Sequence, residues 1–302
     1  MKNINNIDLA YAAGYIDGDG CFYTELSNRK KFIAVLIVIS TNENICHWFK
    51  NLFNMAGSIQ NQRRLQKETW RTVYSYRVHK IKALPICHKL LPLLIEKKIE
   101  AQFLIDFCES SSDMERIKII EETRAHRKTN DLIYKDLKLI YELQRSTIVP
   151  TEKDFAYFAG FLDAEGCFTI SRYKPKKNKN YIYKAVIEAN NSKASVFLWI
   201  LQRFGGVVHF RNLKKKNIKH RDQFIWMLSA KNLNKILHRV YPYLKQKKQL
   251  CQELIDFQKT IVPLCGAPSR ASSIFQAYYK PILDIREKIC SNVKDLNKKG
   301  QN

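Results

Sequence analysis

The chain consists of two similar copies in succession, and this duplication restricts its possible folds more than any other feature. Residues 9–22 are LAYAAGYIDGDGCF and residues 155–168 are FAYFAGFLDAEGCF. Further along, LLPLLIEKK at residues 90–98 is echoed by VYPYLKQKK at residues 240–248. Because the similar segments occur in the same order, each half of the chain is predicted to form the same domain.

The copies define two predicted domains, residues 1–145 and 154–302, joined by a linker over residues 146–153 that contains Pro150. Within a copy, the apolar spacing changes between helical and alternating in a fixed order. In the first copy it predicts a helix at 8–19, strands at 21–27 and 32–40, a helix at 43–54, strands at 58–65 and 70–78, and helices at 80–91, 97–108 and 114–145. The predicted fold class is α+β, with two pseudo-symmetric αββαββα domains that each contain an antiparallel sheet.

The charge of the chain favours a polyanionic partner. Lys and Arg number 52 against 28 Asp and Glu, which gives a net charge of +24. Nucleic acid is the default partner for such an excess. A membrane is not expected, because we find no basic amphipathic helix in the sequence and the longest apolar run, residues 32–39, is too short to cross a bilayer. A protein that is merely soluble and basic is the alternative.

The cysteines and the N-terminus point to a reducing compartment. The eight cysteines are far apart and form no CxxC pair, which argues against a zinc module and against a disulfide framework. The N-terminus has no signal-peptide pattern, since the first repeated motif begins at Leu9. We therefore expect the protein to act in the compartment that makes it.

Two segments carry a specific family resemblance. AAGYIDGDG at residues 12–20 and FAGFLDAEG at residues 158–166 resemble the defining motif of the LAGLIDADG homing endonucleases. Since both copies contain it, the resemblance is to the single-chain, two-repeat form. The helices after each sheet resemble the intron-encoded organellar branch, which implies a chloroplast or mitochondrial location. The resemblance also implies that the motif helices pack at the domain interface and that the two sheets form a saddle over double-stranded DNA.

The small residues of the motif have a physical purpose of their own. Gly14 and Gly18 lie one helical turn apart, as do Gly160 and Ala164. Small residues at this spacing allow two helix backbones to approach closely. We therefore predict that Gly14 and Gly160 lie at the interface between the two domains.

Close packing of these helices would bring their terminal acids, Asp19 and Glu165, together. Two neighbouring carboxylates repel each other unless a cation lies between them, and Mg²⁺ suits oxygen ligands. The carbonyls of Gly18 and Ala164, unpaired at helix ends, are further candidate ligands. The resemblance implies Mg²⁺ as cofactor, with Mn²⁺ tolerated and Ca²⁺ supporting binding without cleavage. The alternative is that both acids are solvated residues in helix-ending turns.

Other repeated residues are candidates for supporting roles. For Asp17 and its repeat Asp163 we predict a structural role, in which they accept hydrogen bonds from backbone donors or from the partner helix. The resemblance places Lys97 and Lys247 close to the scissile phosphates, where they would stabilise developing charge. Their neighbours Lys98 and Lys248 are alternatives for this role.

Two asparagines complete the candidate catalytic residues. Asn42 and Asn191 match a polar position that orients water in the family. The alternative is that both are ordinary solvated side chains.

Strand alternation places polar side chains on the same side of the sheets as the acids. A two-stranded ribbon fits the major groove of DNA, where such side chains contact base edges. The candidates for DNA contact are Tyr23, Glu25, Ser27, Arg29, Gln60, Gln62, Arg64, Ser75 and Arg77 in the first copy, and Thr169, Ser171, Tyr173, Lys184, Glu188, His209 and Arg211 in the second. For each of them, phosphate contact or simple solvation is the alternative.

Two further features of the predicted sheets concern DNA. In the second strand of the first copy, Ile33, Val35, Ile37 and Ile39 replace the polar pattern, and they either contact thymine methyl groups or are buried. Basic segments lie between strands at residues 29–31, 63–71, 174–179 and 214–219, where they are expected to hold phosphates.

Together these observations predict a monomeric, site-specific endonuclease. It would make a metal-dependent double-strand break in a long, asymmetric DNA target and so promote the mobility of its intron. The alternatives are a maturase that binds its host intron RNA, or a DNA-binding protein that does not cut.

Overall fold

We describe the fold from a computed structural model of the chain. The residues that it describes are 4–62, 72–128, 139, 142, 148–174, 181–212, 222–229, 231–261, 273, 277 and 279–299. Arg64, the basic segments 63–71 and 214–219, residues 175–179, and most of the predicted helix after residue 128 lie outside the described residues.

Each copy contains the predicted succession of helices and strands. In the first copy these are α1 (Asn6–Asp19), β1 (Gly20–Leu26), β2 (Phe32–Ser40), α2 (Glu43–Leu52), β3 (Ser58–Gln62), β4 (Val73–His79), α3 (Leu84–Leu90), α4 (Lys98–Glu109) and α5 (Asp113–Lys128). In the second they are α6 (Glu152–Glu165), β5 (Gly166–Tyr173), β6 (Ile182–Asn191), α7 (Ser195–Phe204), β7 (Val207–Arg211), β8 (Gln223–Ser229), α8 (Lys231–Val240), α9 (Lys248–Lys259) and α10 (Lys280–Lys299). The α+β fold class is confirmed.

The start of the second copy is set by a helix cap. Thr151 and Asp154 form a capping box, in which each side chain accepts a hydrogen bond from the other residue's backbone N–H. Helix α6 therefore begins at Glu152, so that Glu152 and Lys153 of the predicted linker belong to the helix.

The two antiparallel sheets have the same topology. The strand order is β1-β2-β4-β3 in the first sheet and β5-β6-β8-β7 in the second. In β2, Ala34, Leu36 and Val38 are fully buried beneath the helices that cover the inner face, among them α2 and α4. Alternation then directs the intervening residues to the outer face.

Helices α1 and α6 pack against each other at the centre of the molecule. A Cβ atom added to Gly14 would lie 1.9 Å from the carbonyl oxygen of Tyr157, and one added to Gly160 would lie 2.0 Å from that of Tyr11. No side chain fits at these distances, so both glycines are needed for the observed approach. The prediction that they lie at the domain interface agrees with this geometry.

Both central helices are surrounded by protein. Residues 9–17 of α1 and 155–163 of α6 are buried without interruption, so neither helix has a polar face. None of the described helices combines the length and apolar character needed to cross a membrane.

Candidate active site and DNA-facing surface

The packing of α1 against α6 brings the two acidic helix ends together. A Cβ atom added to Gly18 would lie 2.4 Å from the Cβ of Ala164 and 3.1 Å from the Cγ of Glu165. Asp19 is the last residue of α1 and Glu165 the last of α6. The candidate site therefore forms where the two helices end side by side.

The two carboxylates are held in an environment that opposes their charge. Burial raises the pKa of Asp19, while the ammonium groups of Lys247 and Lys97 act in the opposite direction. Burial, and then the negative charge of Asp19, raise the pKa of Glu165 to about 7. A pair of this kind gains most when a cation neutralises it. Among the described residues, no group of three or more His, Cys, Asp or Glu side chains is arranged to bind a metal ion.

Lys97 and Lys247, and not their neighbours, point to the helix ends. The Nζ of Lys97 donates to the carbonyl oxygens of Ile16 (2.9 Å) and Gly18 (2.8 Å). In the first copy the alternative, Lys98, is exposed and begins α4. The geometry therefore favours Lys97 over Lys98.

The second copy repeats this arrangement. The Nζ of Lys247 donates to the carbonyl oxygens of Leu162 (2.8 Å) and Ala164 (3.3 Å). The Nζ of Lys248 instead lies 4.9 Å from the ring centroid of Tyr241. Burial lowers the pKa of Lys247.

These contacts correct one expectation about the helix ends. The carbonyls of Gly18 and Ala164 were expected to be unpaired, but each accepts a hydrogen bond from a lysine. A carbonyl oxygen has two lone pairs, so each of these oxygens can still act as a further ligand. Cations also favour helix C-termini, where the backbone dipoles leave partial negative charge.

Asp17 anchors the segment that carries Lys97. Its carboxylate accepts from the backbone N–H groups of Ile95 (2.8 Å), Glu96 (3.2 Å) and Lys97 (2.9 Å). It also accepts from the hydroxyl of Tyr157 in the opposite motif helix, at 2.6 Å. Asp17 therefore fixes both the lysine and the helix pair, which agrees with its predicted structural role.

Asp163 does the same for Lys247. It accepts from the backbone N–H groups of Lys245, Gln246 and Lys247 and from the hydroxyl of Tyr11, the last at 2.8 Å. The two tyrosines were missed in the sequence analysis. Their repetition at the third position of both motif segments was the available signal.

The pairing of Asn42 with Asn191 is wrong, because the strand register relates different residues. Gly20 pairs with Val38 and Gly166 with Ala189, so that the counterpart of Asn191 is Ser40. The turns agree with this register. The backbone N–H of Asn42 donates to Ser40 Oγ (3.0 Å), just as that of Lys193 donates to Asn191 Oδ1 (3.1 Å).

The side chain of Asn42 has a local role as well. It is the N-cap of α2, where its Oδ1 accepts from the backbone N–H of Asn44 at 2.9 Å. The β6–α7 turn is one residue longer than the β2–α2 turn, which a comparison of letters alone does not reveal. The proposal that Asn42 orients water has no support in this geometry.

The two halves of the site differ in one carboxylate that the sequence analysis missed. Gln246 precedes Lys247, and its Oε1 accepts from the hydroxyl of Tyr15 at 3.4 Å. Glu96 precedes Lys97, and its Oε2 accepts from Asn191 Nδ2 at 2.8 Å. Burial, opposed in part by the charge of Lys97, raises the pKa of Glu96 to about 8. The difference is visible in the echoed segments as IEKK against KQKK.

A second contact between the copies lies beside Glu96. Glu100, one turn along α4, is buried, and its Oε1 lies 3.0 Å from Lys193 Nζ and 3.5 Å from His126 Nε2. At the counterpart of Glu100 the second copy has the buried Leu250. The first copy therefore has two carboxylates, Glu96 and Glu100, where the second copy has the neutral Gln246 and Leu250.

Both copies line the cavity at the helix ends. Asp19, Ser40 and Thr41 from the first copy share it with Gln246 and Lys247 from the second. Asp19 and the lysine of the opposite copy, Lys247, therefore line the same cavity.

The outer faces of the sheets carry most of the predicted DNA-contact residues. Those whose side chains are exposed or half-buried are Tyr23, Glu25, Ser27, Arg29, Gln60, Arg77, Thr169, Ser171, Tyr173, Lys184, Glu188, His209 and Arg211. Gln62 pairs with Val73 through its backbone, and its side chain lies outside the described part of the structure.

Ser75 is the predicted DNA-contact residue that the structure does not place at the surface. Its side chain is buried, with 2% of its surface exposed, and its Oγ accepts from Arg77 Nε at 3.2 Å. It supports Arg77 and does not face solvent. Alternation assigned Ser75 to the right face, where the sheet register places it between Ile39 and Gln60.

Comparison with known proteins agrees with this geometry. A family model described as LAGLIDADG endonuclease matches residues 158–262. No curated protein matches the sequence. One similar solved structure is the LAGLIDADG homing endonuclease I-GzeII in complex with a DNA target, with 18% identity, a TM-score of 0.58, and 94% of this chain and 98% of that chain covered. A second is the meganuclease I-SmaMI bound to uncleaveable DNA, with 16% identity, a TM-score of 0.58, and 94% of this chain and 100% of that chain covered. A third is the LAGLIDADG homing endonuclease I-LtrWI bound to target DNA, with 16% identity, a TM-score of 0.58, and 95% of this chain and 98% of that chain covered.

At these identities the solved structures establish a shared fold, and the family model identifies the second copy directly. The first copy has the same strand order, the same paired glycine and the same lysine at its helix end as the second. The second copy therefore matches the LAGLIDADG endonuclease family model over residues 158–262, and the first copy repeats its topology and its motif.

Proposed function

We propose that this protein is a monomeric endonuclease that cuts both strands of a specific double-stranded DNA site with the help of a divalent cation. The observation that carries the proposal is the pair of carboxylates, Asp19 and Glu165, at touching helix ends that two lysine ammonium groups also reach. The net charge of +24 and the polar outer faces of both sheets supply a surface for DNA. The similar solved structures contain DNA, so we propose DNA and not intron RNA as the partner.

The donor set fits a hard divalent cation. Asp19 and Glu165 offer carboxylate oxygens, and Gly18 and Ala164 offer carbonyl oxygens at the same helix ends. Mg²⁺ binds through one or two carboxylates and completes its coordination with water and phosphate oxygens. When bound there, a divalent cation supplies neutralising charge to the phosphate and makes water more acidic.

The residues of the chain provide position and charge. Asp17 and Asp163 hold the backbone before each lysine, so that the ammonium groups of Lys97 and Lys247 stay at the helix ends. Fixed ammonium groups in a partly buried site stabilise negative charge that develops on phosphate oxygens during strand cleavage. Because each lysine belongs to one copy, each half of the site can act on one strand.

The proposal extends to the target and its biological purpose. The outer faces of the two sheets differ in sequence, so the two halves of the target need not be related by symmetry. The resemblance to intron-encoded relatives suggests a target at the uninterrupted form of the host gene, in the organelle that encodes the protein. Cleavage there would promote intron mobility.

The test is cleavage of a plasmid that carries the uninterrupted host sequence, with Mg²⁺ and then with Ca²⁺. We expect double-strand cleavage with Mg²⁺, and binding without cleavage with Ca²⁺. Asp19→Asn and Glu165→Gln should each abolish cleavage and retain most of the binding, since each removes a cation ligand and little basic surface. The control is Asp256→Asn, which removes an exposed carboxylate of α9 outside the site. Near-normal cleavage by either site variant would show that these acids are not ligands.

A further inference from the structure

The outer face of the first sheet carries an apolar strip that the core does not use. The strip, on β2, comprises Ile33, Val35, Ile37 and Ile39. Val35 is buried between its neighbours, Ile33 and Ile37 are half-buried, and Ile39 is 44% exposed. The inner face of the same strand is already filled by fully buried side chains. The fold therefore gains little from these isoleucines, and burial beneath the helices does not explain them.

The second copy shows that the fold does not require an apolar strip there. The register places Lys184, Val186, Glu188 and Asn190 at the counterparts of the four residues of the strip. Three of the four counterparts are polar or charged in a sheet of the same topology. The apolar character is therefore particular to the first copy.

The position of the strip identifies what can cover it. Strand β1 begins directly after Asp19, and Ile37 lies between Cys21 of β1 and Arg77 of β4. The strip is thus on the side of the molecule that carries the acids, and it is flanked by a cationic side chain. An apolar strip with cationic neighbours, in a chain of net charge +24, suits a polyanion that also presents methyl groups.

Duplex DNA has this chemistry at thymine. In the major groove only the C5-methyl group of thymine presents an apolar surface among the four ordinary bases. Building on the proposed function, we propose that the β2 strip recognises thymine methyl groups, so that the half of the target bound by the first copy is selected by apolar contact. The second copy, with Lys184 and Glu188 at the matching places, recognises its half through polar groups.

The experiment removes the methyl groups and leaves the base pairs intact. Duplexes bound by the full chain in Ca²⁺ are selected from a randomised pool, and each thymine of the selected duplex is then replaced by deoxyuridine. Burial of one methyl group changes an equilibrium constant by about three- to fivefold. We expect that loss of affinity at thymines in one half of the target and no loss in the other half.

Two protein variants connect the effect to the strip. Ile39→Asn introduces the residue type that the second copy has at Asn190, and it should abolish the deoxyuridine effect at one or more positions. Ile285→Asn is the matched control, because Ile285 is similarly exposed (49%) but lies on α10 of the second copy and not on the strip. It should leave the deoxyuridine effect unchanged.

The outcomes separate this inference from the proposed function. Uniform affinity for deoxyuridine duplexes, or a deoxyuridine effect that Ile39→Asn leaves unchanged at every position, would overturn the recognition of methyl groups. Self-association of the free chain that Ile39→Asn abolishes would also overturn it, because the strip would then be a contact between copies. A selected duplex that shows the methyl effect but is not cut in Mg²⁺ would leave the inference standing and refute the endonuclease. A pool that yields no preferred duplex would refute both.

Discussion

The carboxylates and lysines at the helix ends form a site whose two halves share their geometry but not their neighbours. Each ammonium group is bonded to the last turn of its own motif helix, and each anchoring aspartate accepts a tyrosine hydroxyl from the opposite helix. Beside Lys97 stands the ionisable Glu96, whereas beside Lys247 stands the neutral Gln246. Substitutions at this scale should therefore affect the two halves of the site separately.

Removal of one lysine should convert a cutting enzyme into a nicking one. A donor that acts mainly in the transition state is worth about 3–4 kcal/mol, or a hundred- to thousandfold in rate. Lys97→Met should slow cleavage of one strand by about this factor, and Lys247→Met should slow the other strand. Strand-resolved gels on a doubly labelled duplex measure both rates. Lys98→Met is the control and should cut both strands normally. Equal slowing of the two strands by Lys97→Met would contradict the assignment of one lysine to each strand.

Glu96 should make stability depend on pH. Its pKa is about 8 in the folded chain against 4.5 for an unperturbed glutamate. The folded state therefore binds a proton that the unfolded state releases between these values, and stability is lost as the pH rises through this window. Glu96→Gln should remove this loss, so that its Tm relative to wild type rises between pH 5 and pH 9. Calorimetry at both pH values measures it. The reverse change, Gln246→Glu, should make stability fall further as the pH rises. A Tm difference between Glu96→Gln and wild type that does not depend on pH would contradict this role of Glu96.

At the scale of the elements, the contact between α1 and α6 positions the acids and lysines of the site. Gly14 and Gly160 meet backbone carbonyls of the opposite helix, whereas Gly18 meets the side chain of Ala164. A contact with a backbone carbonyl cannot be relieved by changing a side chain, whereas the contact with Ala164 can. This difference allows the helix approach to be tested directly.

Gly18→Ala should destabilise the protein, and Ala164→Gly should rescue it. In a free helix alanine is favoured over glycine by about 1 kcal/mol, so destabilisation would itself show a clash. Overpacking of this kind costs about 1–3 kcal/mol. The double change removes the contact at 2.4 Å and should restore most of the stability, measured by denaturant unfolding. Gly14→Ala is the control that no partner change should rescue, because it meets the carbonyl of Tyr157. Lack of rescue at Gly18 would mean that the helix ends are not in contact as described.

At the scale of the whole molecule, charge governs association with DNA. Basic side chains that contact phosphates release counterions, so affinity falls as salt rises, with a slope of about −0.9 for each phosphate contacted. We expect a steep linear fall of log affinity against log salt, measured by fluorescence anisotropy in Ca²⁺. Arg77→Gln should reduce the slope by about one if Arg77 contacts a phosphate, whereas Ile39→Asn should leave it unchanged. A flat dependence in the wild type would exclude a surface that works mainly through phosphates.

The sequence alone determined those features of this protein that depend on neighbouring residues or on the repetition of a segment. The duplicated motif predicted two domains of the same kind, apolar periodicity predicted the order of helices and strands, and the repeated acids predicted a paired site. Glycine spacing predicted the helix contact because a small residue has the same steric consequence in any copy. The structural role of Asp17 and Asp163 was likewise inferred from their repetition.

The tertiary structure alone decided which distant residues meet. It shows that Lys97 and not Lys98 reaches the helix end, and that Ser40 and not Asn42 is the counterpart of Asn191. It also shows that Ser75 is buried, and that the two halves differ in having Glu96 in one and Gln246 in the other. Each of these depends on a strand register or on the direction of a side chain at a helix start. A shift of one residue in register turns every side chain to the other face, and nothing in the local sequence records the shift. The packing of complete elements decides it, so the details of the site are properties of the folded chain.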